Sequence, residues 1–316
     1  MTNNICYKKK TTTPIDTIIP GLIENIIHAI PPNKIKRSFD LVLDGGGFSG
    51  THLLGALNYL HILRETGKIE INRVAGVSIG AITALLFQAR RIDIAFNNYP
   101  IIREYYSTTC NLEIVATQLK AIEHILPTNF HTNCNLHISY FNIQQVKHIT
   151  VSTFTSNKHL LDVIRRSIHV PWLFDKSITL QGKYIDGLYP YTFTFDPPIN
   201  PTTETLFINL INLPWSSMVS VKHRSSTCES AIEGALLVHQ FFKTGNNNHF
   251  CHTFTSLSIR GAAFITRVTI TQIIVKIFAW IYLGHGELSK HIKKFLVKII
   301  NENHDLILKT FKQATT

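Results

Sequence analysis

Four glycines within six residues, Gly45, Gly46, Gly47 and Gly50, separate an apolar run from a helically periodic segment. No other feature narrows the possible folds as much. Phe39 to Leu43 is short and apolar and ends at Asp44, the pattern of a buried strand entering a tight loop. Thr51 to Glu65 follows with helical spacing, and Gly67 is placed to stop that helix. The alternation then continues. Asn72 to Ala75 reads as a second strand, and Gly76-Val-Ser-Ile-Gly80 opens a helix running to Arg91. Residues 92–145 are mostly helical in pattern. Val146 to Phe154 alternates like a strand, and His159 to Ile168 is spaced like a helix. Gln181-Gly182, between Ser177–Leu180 and Lys183–Ile185, is a hairpin signal. Leu206 to Leu213 reads as a strand, and Glu229 to Lys243 as a helix closed by Gly245. Strands alternating with helices predict an α/β layer structure with a largely parallel sheet.

Composition excludes several classes. With 45% hydrophobic and 16% charged residues over 316 positions, the chain has ample material for a core and is neither disordered nor fibrous. Its 31 Lys+Arg against 20 Asp+Glu give a net charge of +11, which draws the protein toward polyanions, either nucleic acid or an anionic membrane face. No recognised nucleic-acid motif accompanies the Lys8-Lys9-Lys10 run, so no nucleic-acid partner is expected. The five cysteines, Cys6, Cys110, Cys134, Cys228 and Cys251, are odd in number and form no CxxC, so a disulfide framework is not expected. No apolar run follows the N-terminal lysines, as a secretory signal would require. An intracellular, reduced, cytoplasmic protein is the expectation. Ala262 to Gly284 is long enough to cross a bilayer, but Arg267 and Lys276 would sit near its centre at a cost of several kcal/mol, so a buried or interfacial helix is expected there.

Gly45 to Gly50 satisfies G-x-G-x-x-G after a strand and before a helix, the setting of a dinucleotide-binding loop. Glu70 lies at about the right distance for the ribose carboxylate, but before the apolar part of the second strand rather than at its carboxyl end. The same loop suits acyl transfer, because backbone N–H groups unobstructed by side chains can converge on a carbonyl oxygen as it gains negative charge. Gly76-Val-Ser78-Ile-Gly80 supplies a nucleophile for that chemistry. In G-x-S-x-G the serine occupies a strained strand-to-helix turn, and the glycines remove β-carbons that would clash. With 16 glycines in the chain, chance gives about 0.05 such matches. A serine hydroxyl needs a base. His223, His239, His249 and His252 follow the acidic candidates but carry no local signature. Asp186, ending a short strand and followed by Gly187, is the better candidate; a turn-capping role is the alternative.

Taken in order, Asp44-Gly-Gly-Gly-Phe-Ser-Gly50, Gly76-Val-Ser-Ile-Gly80 and Asp186-Gly187 resemble the patatin-like phospholipase family, with its glycine-rich oxyanion loop, G-x-S-x-G elbow and D-G-[GA] element. Ser167 to Phe174, followed by the hairpin and Tyr184-Ile-Asp-Gly, is similar to the family's approach to its aspartate, and the likeness covers about residues 38–215. The resemblance implies a three-layer α/β fold, a mainly parallel central sheet flanked by helices. It also implies a Ser-Asp dyad with Ser78 as nucleophile and Asp186 as proton acceptor. Gly45, Gly46 and Gly47 would form the oxyanion hole, with Gly50, Gly76, Gly80 and Gly187 as motif glycines. Two positions depart from the pattern: Ser49 stands where Arg or Lys is common, and Leu188 is the third residue of D-G-[GA]. Both bear on rate and substrate preference, and Leu188 on access to Asp186.

The implied division is an N-terminal extension with an amphipathic helix (1–37), a catalytic core (38–215) and a mostly helical C-terminal region (216–316). The implied activity is phospholipase A-type cleavage of lipid esters through an acyl-serine, with no cofactor or metal. A catalytically weak lipid-binding module and an acylglycerol lipase are the alternatives. The substrate, a phospholipid or acylglycerol, lies at a membrane or droplet surface, so peripheral association with anionic membranes is expected. Two helices could serve it. In residues 15–30 apolar side chains fall on one face, with the intact helix starting at Pro20-Gly21; in residues 288–300 lysines border an apolar stripe. His131, Cys134 and His137 alternate like metal ligands, but no second cluster completes a four-ligand site.

Overall fold

The computed structural model describes residues 14–28, 37–174, 177–194, 196–213, 227–255 and 258–284, together with residue 294. Its centre is a seven-stranded sheet of β1 (Arg37–Leu43), β2 (Ile69–Val77), β3 (Leu136–Asn142), β4 (Lys147–Val151), β5 (Tyr184–Asp186), β6 (Thr203–Ile208) and β7 (Cys251–Thr253). The order is β4-β3-β2-β1-β6-β7, with β5 also on β3. β3, β2, β1 and β6 are parallel, and β4, β5 and β7 join antiparallel. Parallel strands buried on both faces need continuous apolar runs. In β1, Leu41 and Leu43 enter one core while Val42 enters the other.

Helices cover one face: α1 (Pro14–His28), α2 (Gly50–Glu65), α3 (Ile79–Gln88), α4 (Ile92–Thr109), α5 (Glu113–Glu123), α6 (Phe130–Asn133), α7 (Asn157–Ser167) and α8 (Thr227–Thr244). They share the larger core with Leu41, Leu43, Ile138 and Ile208. The opposite face is covered by α9 (Ile259–Leu283), whose Val275 and Ala279 are buried with Phe141, Ile143, Ile185 and Tyr189. The result is the three-layer α/β arrangement with a mainly parallel sheet.

Several boundaries differ from the sequence reading. α1 begins at Pro14 and continues through Pro20-Gly21. A proline at the first helical position is preorganised, whereas one inside the helix forfeits a donor and crowds the carbonyl four residues back, a cost the buried face of α1 offsets. Its Ile23 and Ile27 are buried in the main core, so that face of the helix covers the fold rather than standing free. Within the span read as mostly helical, Leu136–Asn142 is β3; it is buried along nearly its whole length, so no alternation betrays it. β6 starts and ends earlier than Leu206–Leu213, because Asn209 turns the chain by accepting the Ile211 N–H at 2.9 Å. β7 has only three residues. The stripe at 288–300 lies outside the described residues apart from residue 294.

The pairing of β3 positions the site. β2 pairs with β3 over Leu136–Ser139, and β5 pairs with the same edge over Tyr140–Asn142, running the opposite way. The carboxyl ends of β2 and β5 therefore meet head-on, Val77 opposite Ser139 and Asp186 opposite Tyr140. On the other side of β2, Gly76 pairs with Leu43, which delivers the glycine loop alongside.

Candidate active site

β2 ends at Val77 and α3 begins at Ile79, so Ser78 alone makes the turn. Its backbone lies at φ 55° and ψ −128°, which for a residue with a Cβ costs on the order of 1–3 kcal/mol. The turn is tight because Gly80 packs onto the glycine loop. A Cβ there would come within 2.6 Å of the Leu43 carbonyl oxygen and 2.7 Å of that of Asp44. A Cβ on Gly76 would lie 2.4 Å from the Gly80 carbonyl oxygen, and Gly50, the first residue of α2, lies under the Ile79 side chain. The Ser78 N–H donates to Ser167 Oγ at 3.0 Å, pinning the elbow from the last turn of α7. Ser78 is also the N-cap of α3, where the helix dipole favours negative charge.

Ser78 lines an apolar cavity of about 210 Å³. Its walls include Phe48, Ile82, Leu86, Ile102, Leu119 and Leu173, contributed by the glycine loop, α3, α4, α5 and the segment after α7.

Asp186 is buried at the end of β5. Its backbone N–H donates to the His169 carbonyl at 2.8 Å, and its Oδ1 accepts the Leu188 N–H at 2.8 Å. Oδ2 is buried and makes no hydrogen bond among the described residues. Burial raises the Asp186 carboxyl to about 6. The Ser78 hydroxyl, the Leu188 N–H and the Arg267 charge pull the other way, and Asp44 adds to the rise. Ser78 is thus near enough to act on this carboxylate without closing a hydrogen bond to Oδ2. Gly187 makes the approach possible, since a Cβ there would lie 2.3 Å from the Ser139 carbonyl oxygen.

The glycine loop is held by its own aspartate. Asp44 is fully buried and accepts the Gly45 N–H at 2.9 Å. Arg267 of α9 meets it with two bonds, Nη1 to Oδ2 at 2.8 Å and Nη2 to Oδ1 at 3.0 Å. Nη2 also donates to the Leu188 carbonyl at 2.7 Å, so one guanidinium joins the loops on either side of Ser78. The N–H groups of Gly46 and Gly47 donate to no described residue.

Ser78, Asp186 and the glycines of the three motifs thus converge at the carboxyl ends of β1, β2 and β5. Ser167, Asp44 and Arg267 were not assigned roles there. Arg267 had one legible signal, a cation inside an apolar run. Glu70 is exposed at the amino end of β2, far along the strand from the glycine loop, as a ribose ligand would not be. His239 meets the Tyr59 hydroxyl at 3.1 Å and His252 stacks on Phe207, while His223 lies outside the described residues. Among the described residues no histidine side chain bonds to Ser78 or Asp186, and no cluster of three metal-ligating side chains forms.

Fold and site together define an α/β protein with a strand–serine–helix elbow and a glycine loop side by side at the carboxyl ends of a mostly parallel sheet. The family model described as Patatin-like phospholipase matches residues 41–198, half of the chain, and its span includes the glycine loop, the elbow and Asp186. The chain belongs to the patatin-like phospholipase family, a lipid hydrolase family. No curated protein matches it.

Proposed function

We propose that this protein is a serine-dependent lipid acyl hydrolase of the phospholipase A type acting through Ser78 and Asp186. One observation carries the reading: a strained serine opens onto an apolar cavity beside a buried carboxylate that has one unoccupied oxygen. The cavity suits an acyl chain, which needs apolar walls and only a few polar groups at the reacting end.

In the proposed reaction Ser78 Oγ attacks the ester carbonyl carbon while Asp186 Oδ2 takes the hydroxyl proton. The oxygen that becomes negative is met by the Gly46 and Gly47 N–H groups. Gly45 is better read as holding the loop, since its N–H is already given to Asp44. Collapse of the tetrahedral intermediate breaks the ester C–O bond. The leaving lysolipid alkoxide takes the proton from Asp186, and the acyl group stays on Ser78. Asp186 then accepts a proton from water, whose oxygen attacks the acyl-serine carbonyl; the bond from that carbon to Ser78 Oγ breaks, Ser78 Oγ takes the proton back from Asp186, and the fatty acid leaves. A pKa near 6 suits both steps, because the group is mostly ionised at neutral pH yet can hold a proton in passing.

The core at 38–215 is completed by α8 and α9 from the C-terminal region. Among the described residues Cys110, Cys134 and Cys251 are free thiols, which supports the reading of a reducing, cytoplasmic setting. Phospholipid vesicles carrying a labelled acyl chain at one position test the substrate. Release of labelled fatty acid by wild type and none by Ser78→Ala is the expected result; equal release from both would reject Ser78 as nucleophile.

A further inference from the structure

Among the described residues, one helix is long and apolar enough to cross a membrane, and it is α9. Its inner face is already occupied. Phe264 packs on Phe207 and Phe254, with ring centroids 5.5 and 5.4 Å away, and Val275 and Ala279 are buried under the helix. Arg267 is bound to Asp44 and Leu188, and Gln272 donates to the Tyr189 hydroxyl at 3.0 Å. Crossing a bilayer would strip all of these contacts, so the helix is built to lie on the sheet.

Among the described residues, the stripe from Ile270 to Trp280 on its outer face has no such partner. Ile270, Ile273, Ile274 and Ile277 follow the i, i+3, i+4, i+7 spacing of one stripe and are 52–59% exposed, and Trp280 extends the stripe at 55%. Soluble surfaces scatter such side chains singly, and a continuous stripe marks an interaction site. The charges around it favour one kind of partner. From Ile259 to Leu283 the helix has Arg260, Arg267 and Lys276 and no carboxylate, and Arg260 and Lys276 are exposed. A second copy would set these cations against themselves. The chain beyond Gly284 is no better matched, with six lysines against three acidic residues. An anionic surface that accepts isoleucines and seats a tryptophan at its boundary fits both the charge and the shape.

We propose that the outer face of α9 docks on an anionic lipid surface, with Ile273, Ile277 and Trp280 entering the headgroup–acyl boundary. The inference rests on the lipid-hydrolase reading and names the surface that brings that site to its substrate. Arg267, on the inward side of the same helix, ties the docked element to the glycine loop and to the Asp186 loop.

The test uses the full chain and the double variant Ile273→Asn/Ile277→Asn. Sedimentation is measured with phosphatidylcholine vesicles with and without phosphatidylserine, at low and high salt. Hydrolysis of vesicle phospholipid is compared with hydrolysis of a soluble short-chain ester. Wild type is expected to bind the phosphatidylserine vesicles more weakly at high salt. The variant is expected to lose at least tenfold in vesicle binding and vesicle hydrolysis while keeping soluble-ester hydrolysis within twofold, which also shows that it is folded. Quenching of Trp280 by brominated lipid, absent in Trp280→Phe, would place the face in the membrane. Unchanged vesicle binding by the double variant would overturn the proposal. A wild-type dimer in solution that the double variant converts to monomer would overturn it too, by assigning the face to a second copy. Vesicle binding without hydrolysis of either substrate would instead remove the hydrolase reading and leave the docking face standing.

Discussion

Ser78 holds its backbone at φ 55° and ψ −128°, and relief of that strain is measurable apart from chemistry. Ser78→Gly should raise stability by about 1 kcal/mol, since glycine accepts this conformation freely, and should abolish ester hydrolysis. Chemical denaturation and an ester assay on the same preparation check both. Asp186 gives two pH dependences of opposite sense. As the proposed base it must be ionised, so kcat/KM should rise with pH through about 6 and then level off. Stability runs the other way. The folded-state pKa lies above the ordinary value of 3.8, so the protonated form is favoured by folding, and that contribution, complete below about pH 4, is lost as pH rises through 6. Asp186→Asn should therefore be more stable than wild type at pH 8, equal or less stable at pH 4, and inactive at both. The candidate residues are legible in sequence because their motifs are local: an elbow serine between glycines and an aspartate before a glycine announce themselves within five positions. Leu188 departs from the motif at a position that bears on access to Asp186. In the structure it sits at φ 62° with an exposed side chain, its N–H on Asp186 and its carbonyl on Arg267.

At the scale of elements, the site is made by strand ends that meet and by one helix that holds them. The hairpin at Gln181-Gly182 was readable because both residues need positive φ, 56° and 69°. The partner that the hairpin delivers β5 to was not, since β3 lay hidden in a stretch with helical spacing. Nor could 223 positions of separation reveal that Arg267 pairs with Asp44. Replacing Arg267 with leucine leaves Asp44 buried with the Gly45 N–H as its remaining partner, a loss of about 3–5 kcal/mol for a broken buried pair. Asp186 would also lose a cation while Asp44 kept pushing its pKa upward. The activity of Arg267→Leu should therefore fall, with the rising limb of its pH profile moved above that of wild type. Arg267→Lys restores the charge without the paired geometry and should lie between the two. A pH profile unchanged in Arg267→Leu would show that the link is structural only.

Across the whole molecule, alternation of strands and helices was enough to foresee a mostly parallel sheet with helices on both sides, and the family's motifs fall where that architecture puts a site. What the sequence concealed is how unevenly the layers are built. One face carries α1 to α8 around the main core, and the other rests on α9 and the loop rings of Tyr189 and Phe193. The +11 net charge and the exposed stripe of α9, tied to the glycine loop through Arg267, are the whole-molecule features on which the docking proposal rests. The central claim remains that Ser78 is a nucleophile served by Asp186. It is tested most directly by labelling the purified protein with a fluorophosphonate probe, wild type beside Ser78→Ala and Asp186→Ala. Labelling that is present in wild type, absent in Ser78→Ala and reduced at least tenfold in Asp186→Ala is the expected result. A folded wild type that stays unlabelled with and without anionic vesicles, or a Ser78→Ala variant that labels as wild type does, would contradict it.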